Sequence, residues 1–181
     1  KIGIREIKGS PRGLFIDGKE TILRGGCVHH DNGILGAATP DEADWRRVRI
    51  LKDAGFNAIR SAHNPCSKAI LDACDRLGML MMDEYVDAWY MHKTKYEYVN
   101  YLMDWWQEDL RAMVDKDYNH PCVLLYSIGN EIPEIGTPAG AKIAHDMCEK
   151  IRPIPEGRYE PDIPGAADEL TQSCWDRAHA W

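Results

Sequence analysis

Asn119-His120-Pro121-Cys122-Val123-Leu124-Leu125-Tyr126-Ser127-Ile128-Gly129-Asn130-Glu131 is the stretch whose reading decides the fold. Residues 123–128 are a short apolar run that reads as a buried strand. It stops abruptly at Gly-Asn-Glu, with Pro133, Gly136 and Pro138 following. A strand buried on both faces that hands a carboxylate to a loop is how an α/β barrel presents catalytic groups at its C-terminal face. A surface glutamate after a core strand is the plain alternative for this stretch on its own.

Outward from it, the same grammar repeats. A strand over about 21–28 ends in His29-His30-Asp31. A second, over 57–62, closes with His63-Asn64-Pro65, and a third, over 79–82, ends in Asp83-Glu84. Helices separate them. Thr39-Pro40-Asp41-Glu42 is a helix start with Pro and acids in the first turn, carried on by Trp45, Val48, Leu51 and Lys52 and stopped by Gly55. Ser67 caps a helix bearing Ile70, Leu71, Cys74 and Leu77, stopped by Gly78. Residues 98–117 form a longer helix and 139–150 the last.

Four alternations of strand and helix predict an α/β fold with a parallel sheet. A doubly wound sheet and a (β/α)8 barrel both fit. No GxGxxG or P-loop follows a strand, which weakens the nucleotide-binding version. Polar residues at all four strand ends favour the barrel, with only its first four βα units present. Residues 1–20 read as an extended lead-in with a hairpin turn at Asp17-Gly18. Residues 21–152 hold the βα units. Beyond them, Pro153, Pro155, Pro161 and Pro164 interrupt regular structure in a tail over 153–181 that has room for a short helix around 166–178.

A net charge of −7 without a basic block argues against a phosphate-tracking nucleic-acid binder. No apolar run reaches membrane-spanning length. Cys27, Cys66, Cys74, Cys122, Cys148 and Cys174 form no CxxC pair, so they read as core thiols; compartment is not legible.

The strand ends gather one candidate site: His29, His30 and Asp31; Arg60, His63 and Asn64; Asp83, Glu84 and Asp87; Asn130 and Glu131. Three readings follow. Two carboxylates can act on a glycosidic bond, with His, Asn and Arg holding sugar hydroxyls. Trp89, in the loop after the third strand, then offers an apolar face to a sugar ring, while Trp105 and Trp106 pack on their helix. His29, His63 and carboxylates can instead bind a catalytic metal, although no HxH or HExxH spacing occurs. Or the cluster is structural, satisfied polar groups where strands leave the core.

Leu23-Arg24-Gly25 with His29-His30-Asp31, the run from Leu51 to Pro65, Leu71-Asp72-Ala73-Cys74-Asp75-Arg76-Leu77-Gly78-Met79, Asp83-Glu84, and His120-Pro121 through Glu131 together resemble glycoside hydrolase family 2. This is the family of β-galactosidases, β-glucuronidases and β-mannosidases. The resemblance covers about two-thirds of the chain, residues 13–131. It implies a (β/α)8 barrel, a β-linked carbohydrate substrate and a retaining double displacement. Glu131 is then the general acid/base and Asn130 contacts the sugar 2-hydroxyl. His29, Arg60, His63, Glu84, Asp87 and Trp89 fall at substrate-binding or pocket-supporting positions.

The departures also carry expectations. Tyr126 stands where the family commonly has Trp. The Glu-x-His of a magnesium site is missing between Asp87 and Tyr90, so no metal or other cofactor is expected. The nucleophile implied by the resemblance is a second Glu on a seventh barrel strand, whereas Glu156, Glu160 and Glu169 end no apolar strand. Pairing Glu84 with Glu131 is the substitute within reach. The expectation is a β-galactosidase-like half-barrel, preceded by the last strand of a β-sandwich and inactive alone. Its open strand edges favour self-association or membership of a longer protein. A non-catalytic carbohydrate-binding or scaffold fragment is the rival.

Overall fold

The computed structural model describes residues 5–151. The tail over 153–181, with Cys174 and its three glutamates, lies outside the described residues.

The lead-in is a three-stranded antiparallel sheet of β1 (Ile7–Ser10), β2 (Gly13–Ile16) and β3 (Lys19–Glu20). Its β2–β3 turn is the expected Asp17-Gly18. Both residues have positive φ, 50° and 74°, as a two-residue hairpin with right-handed strand twist requires. Asp17 Oδ1 also accepts the Glu6 N–H at 2.8 Å.

The main sheet is β4 (Gly25–His29), β5 (Ala58–Ala62), β6 (Leu80–Glu84) and β7 (Val123–Ser127), in sequence order and parallel throughout. Order 4-5-6-7 without a reversal is a barrel progression, since a doubly wound sheet reverses direction at its switch point. The first strand starts later than residue 21. Ahead of it the Asn57 side chain takes over the backbone, accepting Arg24 N–H at 2.6 Å and donating to Ile22 O at 2.8 Å. Those groups satisfied, residues 21–24 need no ladder.

Helices cover one face. α1 (Asp41–Asp53) and α2 (Lys68–Leu77) bury Val48, Ile70, Leu71 and Cys74 against Ile59, Met81 and Val123. α3 (Val99–Asp117) and α4 (Pro138–Ile151) bury Leu102, Leu110, Met113, Ile143 and Met147 with Tyr85, Val86, Trp89 and Ile132. The other face carries Cys27, Arg60, Met82 and Leu125 in register across four strands. Cys27 is exposed and Leu125 is 41% exposed. A row of side chains open on one side of a helix-covered parallel sheet is the inner wall of a barrel seen in part. Cys66, Cys74 and Cys122 are buried as expected; Cys27 faces that open wall and Cys148 is half-buried on α4.

Ser67 joins the two helices of the first half. Its hydroxyl oxygen accepts the Ile70 N–H at 3.1 Å, capping α2, and its O–H donates to Asp44 of α1. Asp44 is fully buried and also holds Arg47 at 2.7 Å. Ser67→Ala is expected to lower stability by about 2 kcal/mol, one part from the lost cap and one from a buried carboxylate losing a donor. Urea unfolding checks it, and a change under ~0.5 kcal/mol, the range of neutral surface substitutions, would refute the role.

Candidate active site

In a parallel sheet all C-terminal strand ends share one edge, so His29, His63, Glu84 and the residues after Ser127 meet there by topology alone. The side chains complete the arrangement. Arg60, from the inner row of β5, directs its guanidinium at Glu84, with Nε 2.8 Å from Oε2. His63 Nδ1 lies 2.6 Å from Glu84 Oε1, and the Ser127 hydroxyl donates to Oε2 at 2.6 Å. Arg60 also donates to Asn130 Oδ1 at 3.1 Å, and Asn130 Nδ2 donates to Asp87 Oδ1 at 2.8 Å. Lys93 Nζ closes the chain on Asp87 Oδ1 at 3.0 Å and Asn130 O at 2.5 Å. One continuous network runs from β5 through β6 to the loop after β7. Burial raises the Asp87 pKa, but the hydrogen bonds from Asn130 and Lys93 outweigh it, and the carboxyl sits below its ordinary value.

His29 is exposed at the end of β4, its ring 5.1 Å from that of His63 and edge-on to it, while its carbonyl accepts from Arg47 at 2.6 Å. Glu131 follows Asn130, exposed, with a left-handed φ of 45°. A non-glycine residue there is rare and strained, and clusters at functional sites.

Of the two candidates left with more than one role, Glu84 takes the pocket-supporting one, and Trp89 sits differently from expectation. Glu84 is 0% exposed and surrounded by Arg60, His63 and Ser127, so it supports the pocket from beneath and contacts no solvent. A carboxylate so held has no free oxygen to attack a sugar, which removes the Glu84–Glu131 pairing. Trp89 is 2% exposed and offers no open face; its indole N–H donates to Ile128 O at 2.9 Å. The apolar contacts of Trp89 with Ile132 outcompete exposure because the two loops close on each other. Trp106 packs against the second core cluster and Trp105 is exposed on α3, as helix spacing implied.

Beside the network a cleft of about 740 Å³ opens between the end of β6 and α3. It shares His63 and Asp87 with the network and continues past Tyr85, Tyr98 and Lys116; Glu131 does not line it. Sequence reasoning missed Lys93, Ser127 and Glu134. Only Ser127, at the end of a recognised strand, carried a local signal.

At the opposite end of the strands, Asp75, His120 and Cys122 place three metal-type donor atoms within 4.8 Å of one another. Their hydrogen bonds are mutual: Asp75 accepts from Cys122 N at 2.8 Å and lies 2.8 Å from His120 Nδ1. This ties α2 to the start of β7, on the face where barrels place stability.

The profile of "Glycosyl hydrolases family 2, TIM barrel domain" matches residues 6–181. The chain belongs to glycosyl hydrolase family 2. Among family members, a β-galactosidase of Bacteroides ovatus is 43% identical over 134 residues, 74% of this chain and 16% of that protein. The β-glucuronidase of Canis lupus familiaris is 27% identical over 99% of this chain and 28% of its own length. A solved family 2 member from Bacteroides cellulosilyticus superposes with a TM-score of 0.84 at 42% identity, covering 96% of this chain and 23% of that one. A β-galacturonidase from Eisenbergiella tayi bound to galacturonate gives 0.74 at 27% identity, over 84% and 27%. The chain thus spans under a third of the length of these family 2 proteins.

Glu84→Gln keeps the shape but leaves the half-buried Arg60 without its counter-charge. It is expected to destabilise this family 2 domain by about 3 kcal/mol, the low end for a broken buried pair because Arg60 retains some water. Chemical denaturation measures it, and a neutral result would remove the pair from its central role. A second prediction concerns pH. Burial, then the Asp83 charge, push Asp117 on α3 up to about 7 against the pull of Lys116. The folded state therefore holds a proton that the unfolded state releases near 3.8, and this stability is present below that pH and lost as pH rises to about 7. Thermal melts across that range are expected to show the loss, flattened in Asp117→Asn; equal slopes in both proteins would contradict it.

Proposed function

We propose that Glu131 is the general acid/base of a retaining β-glycosidase, with a β-galactoside as substrate and Asn130 as the contact to the sugar 2-hydroxyl. The observation that carries this reading is Asn130 locked between Arg60 and Asp87 immediately before an exposed, left-handed Glu131. A general acid must reach the glycosidic oxygen, and Glu131 is the exposed glutamate on this rim while Glu84 is enclosed. His29, His63 and Arg60 lie on the same rim and are the proposed hydroxyl-binding groups.

The reaction needs a second carboxylate about 5 Å from the first; Glu84 is enclosed and Asp87 is engaged by Asn130 and Lys93. The 181-residue chain by itself is therefore inactive in this reading, and the activity belongs to the full-length gene product. There the inner wall and the outer edges of β4 and β7, which pair with no other strand among the described residues, receive the remaining barrel strands, or a second copy of the isolated chain.

Chromogenic β-galactoside and β-glucuronide assays test this. The full-length protein is expected to turn over the galactoside, and Glu131→Ala to lose on the order of 10²–10⁴-fold in rate. Undiminished turnover in Glu131→Ala would falsify the acid/base assignment. Saturable sugar binding without turnover in the full-length protein would favour the carbohydrate-binding alternative.

A further inference from the structure

We propose that Glu134 is a positioning residue for the acid/base: its buried carboxylate clasps the loop after β6 to the loop after β7 and so holds Glu131 in place. This rests on the reading of Glu131 given above. Glu134 is 5% exposed. Its Oε1 accepts two backbone N–H groups of the neighbouring loop, Tyr90 and Met91, each at 2.6 Å. Its carbonyl oxygen accepts Thr137 N–H at 3.0 Å and the Thr137 hydroxyl at 2.8 Å, and Ile135 N–H reaches Ile132 O at 3.2 Å. Residues 132–137 thus fold tightly around Glu134. A Cβ on Gly140 would lie 2.3 Å from Glu134 O, so the start of α4 packs on the same point without clearance.

Glu131 needs such support because its own conformation does not supply it. A left-handed non-glycine residue is costly, and persists only where its surroundings over-determine it. The preceding carbonyl, Asn130 O, is held by Lys93 Nζ. The following side chain, Ile132, is wedged over Gly129, where an added Cβ would lie 2.7 Å from it and 3.0 Å from the Trp89 indole. Glu134 is the third anchor. Lys93, Trp89, Tyr90 and Met91 all belong to the loop after β6, so both sides of Glu131 are fastened to one neighbouring loop. The two N–H bonds offset the burial of a carboxyl group that has no cation bonded to it among the described residues. Its Oε2 is buried without a hydrogen-bond partner, so the two bonds at Oε1 carry the clasp.

The test uses the full-length protein and two aryl or alkyl β-galactosides. A 2,4-dinitrophenyl leaving group departs without protonation; a methyl leaving group requires the acid. In Glu134→Ala, kcat/KM for the methyl glycoside is expected to fall on the order of 10²-fold, the effect of displacing a catalytic group by about 1 Å. The dinitrophenyl glycoside is expected to change little. Glu134→Gln, whose amide oxygen can accept the same two N–H groups, is expected to recover most of the loss. Equal losses on both substrates would mark a structural role and overturn the proposal, as would no loss on either. Glu131→Ala measured in parallel separates the two readings. If it shows the leaving-group split and Glu134→Ala does not, only the clasp fails. If Glu131→Ala keeps wild-type rates, or the wild type turns over neither substrate, the acid/base reading fails and the clasp with it.

Discussion

A single enclosed carboxylate organises this half-barrel. Glu84 ends β6 with no exposure to water, and its charge is met by Arg60 from β5, His63 after β5, and Ser127 at the end of β7. Burying a carboxylate is unfavourable unless such partners are present, so three strand ends are obliged to meet in one geometry. The apolar cores on the helix side would tolerate small shifts between strands. The charge network would not, since any shift leaves a buried donor or acceptor unmatched.

From that point the site grows outward through one chain of hydrogen bonds. Arg60 passes from Glu84 to Asn130, Asn130 passes to Asp87, and Lys93 ties Asp87 back to the Asn130 carbonyl. The outermost group, Glu131, is exposed and conformationally strained, as the proposed acid/base role requires of a residue that meets a substrate. The shift in strand register between β6 and β7, at Met81 and Met82, lies one turn of side chains beneath this rim, where bulges re-aim strand ends.

The four strands, the four helices and the Asp17-Gly18 turn were legible because each rests on local chemistry: apolar runs, a Ser67 cap, Gly55 and Gly78 stops. Boundaries failed where a distant side chain substituted for the ladder, as Asn57 does ahead of β4. The site was legible as a set of strand ends, together with the motifs that resemble family 2. The roles inside it were harder to read. Glu84 and Glu131 look alike in sequence, each an acid after a strand, yet one is enclosed and the other open. Trp89 reads as a loop aromatic free to meet a sugar, but closure against Ile132 and the Ile128 carbonyl buries it. Lys93 and Glu134 gave no signal at all, because the loop each is tied to across the rim lies 37 to 44 residues away.

By itself the amino-acid sequence determined the alternation of strand and helix, the family and the end of the sheet at which polar groups collect. Periodicity, caps and turns act over a few residues, and the polar residues follow their strands directly. Only the tertiary structure decided which carboxylate is sealed and which is presented, because burial is a property of what packs against a residue. It also decided that the loop after β6 bonds the residues on both sides of Glu131, a consequence of two chain segments meeting across a parallel sheet whose strands are adjacent in space and far apart in sequence.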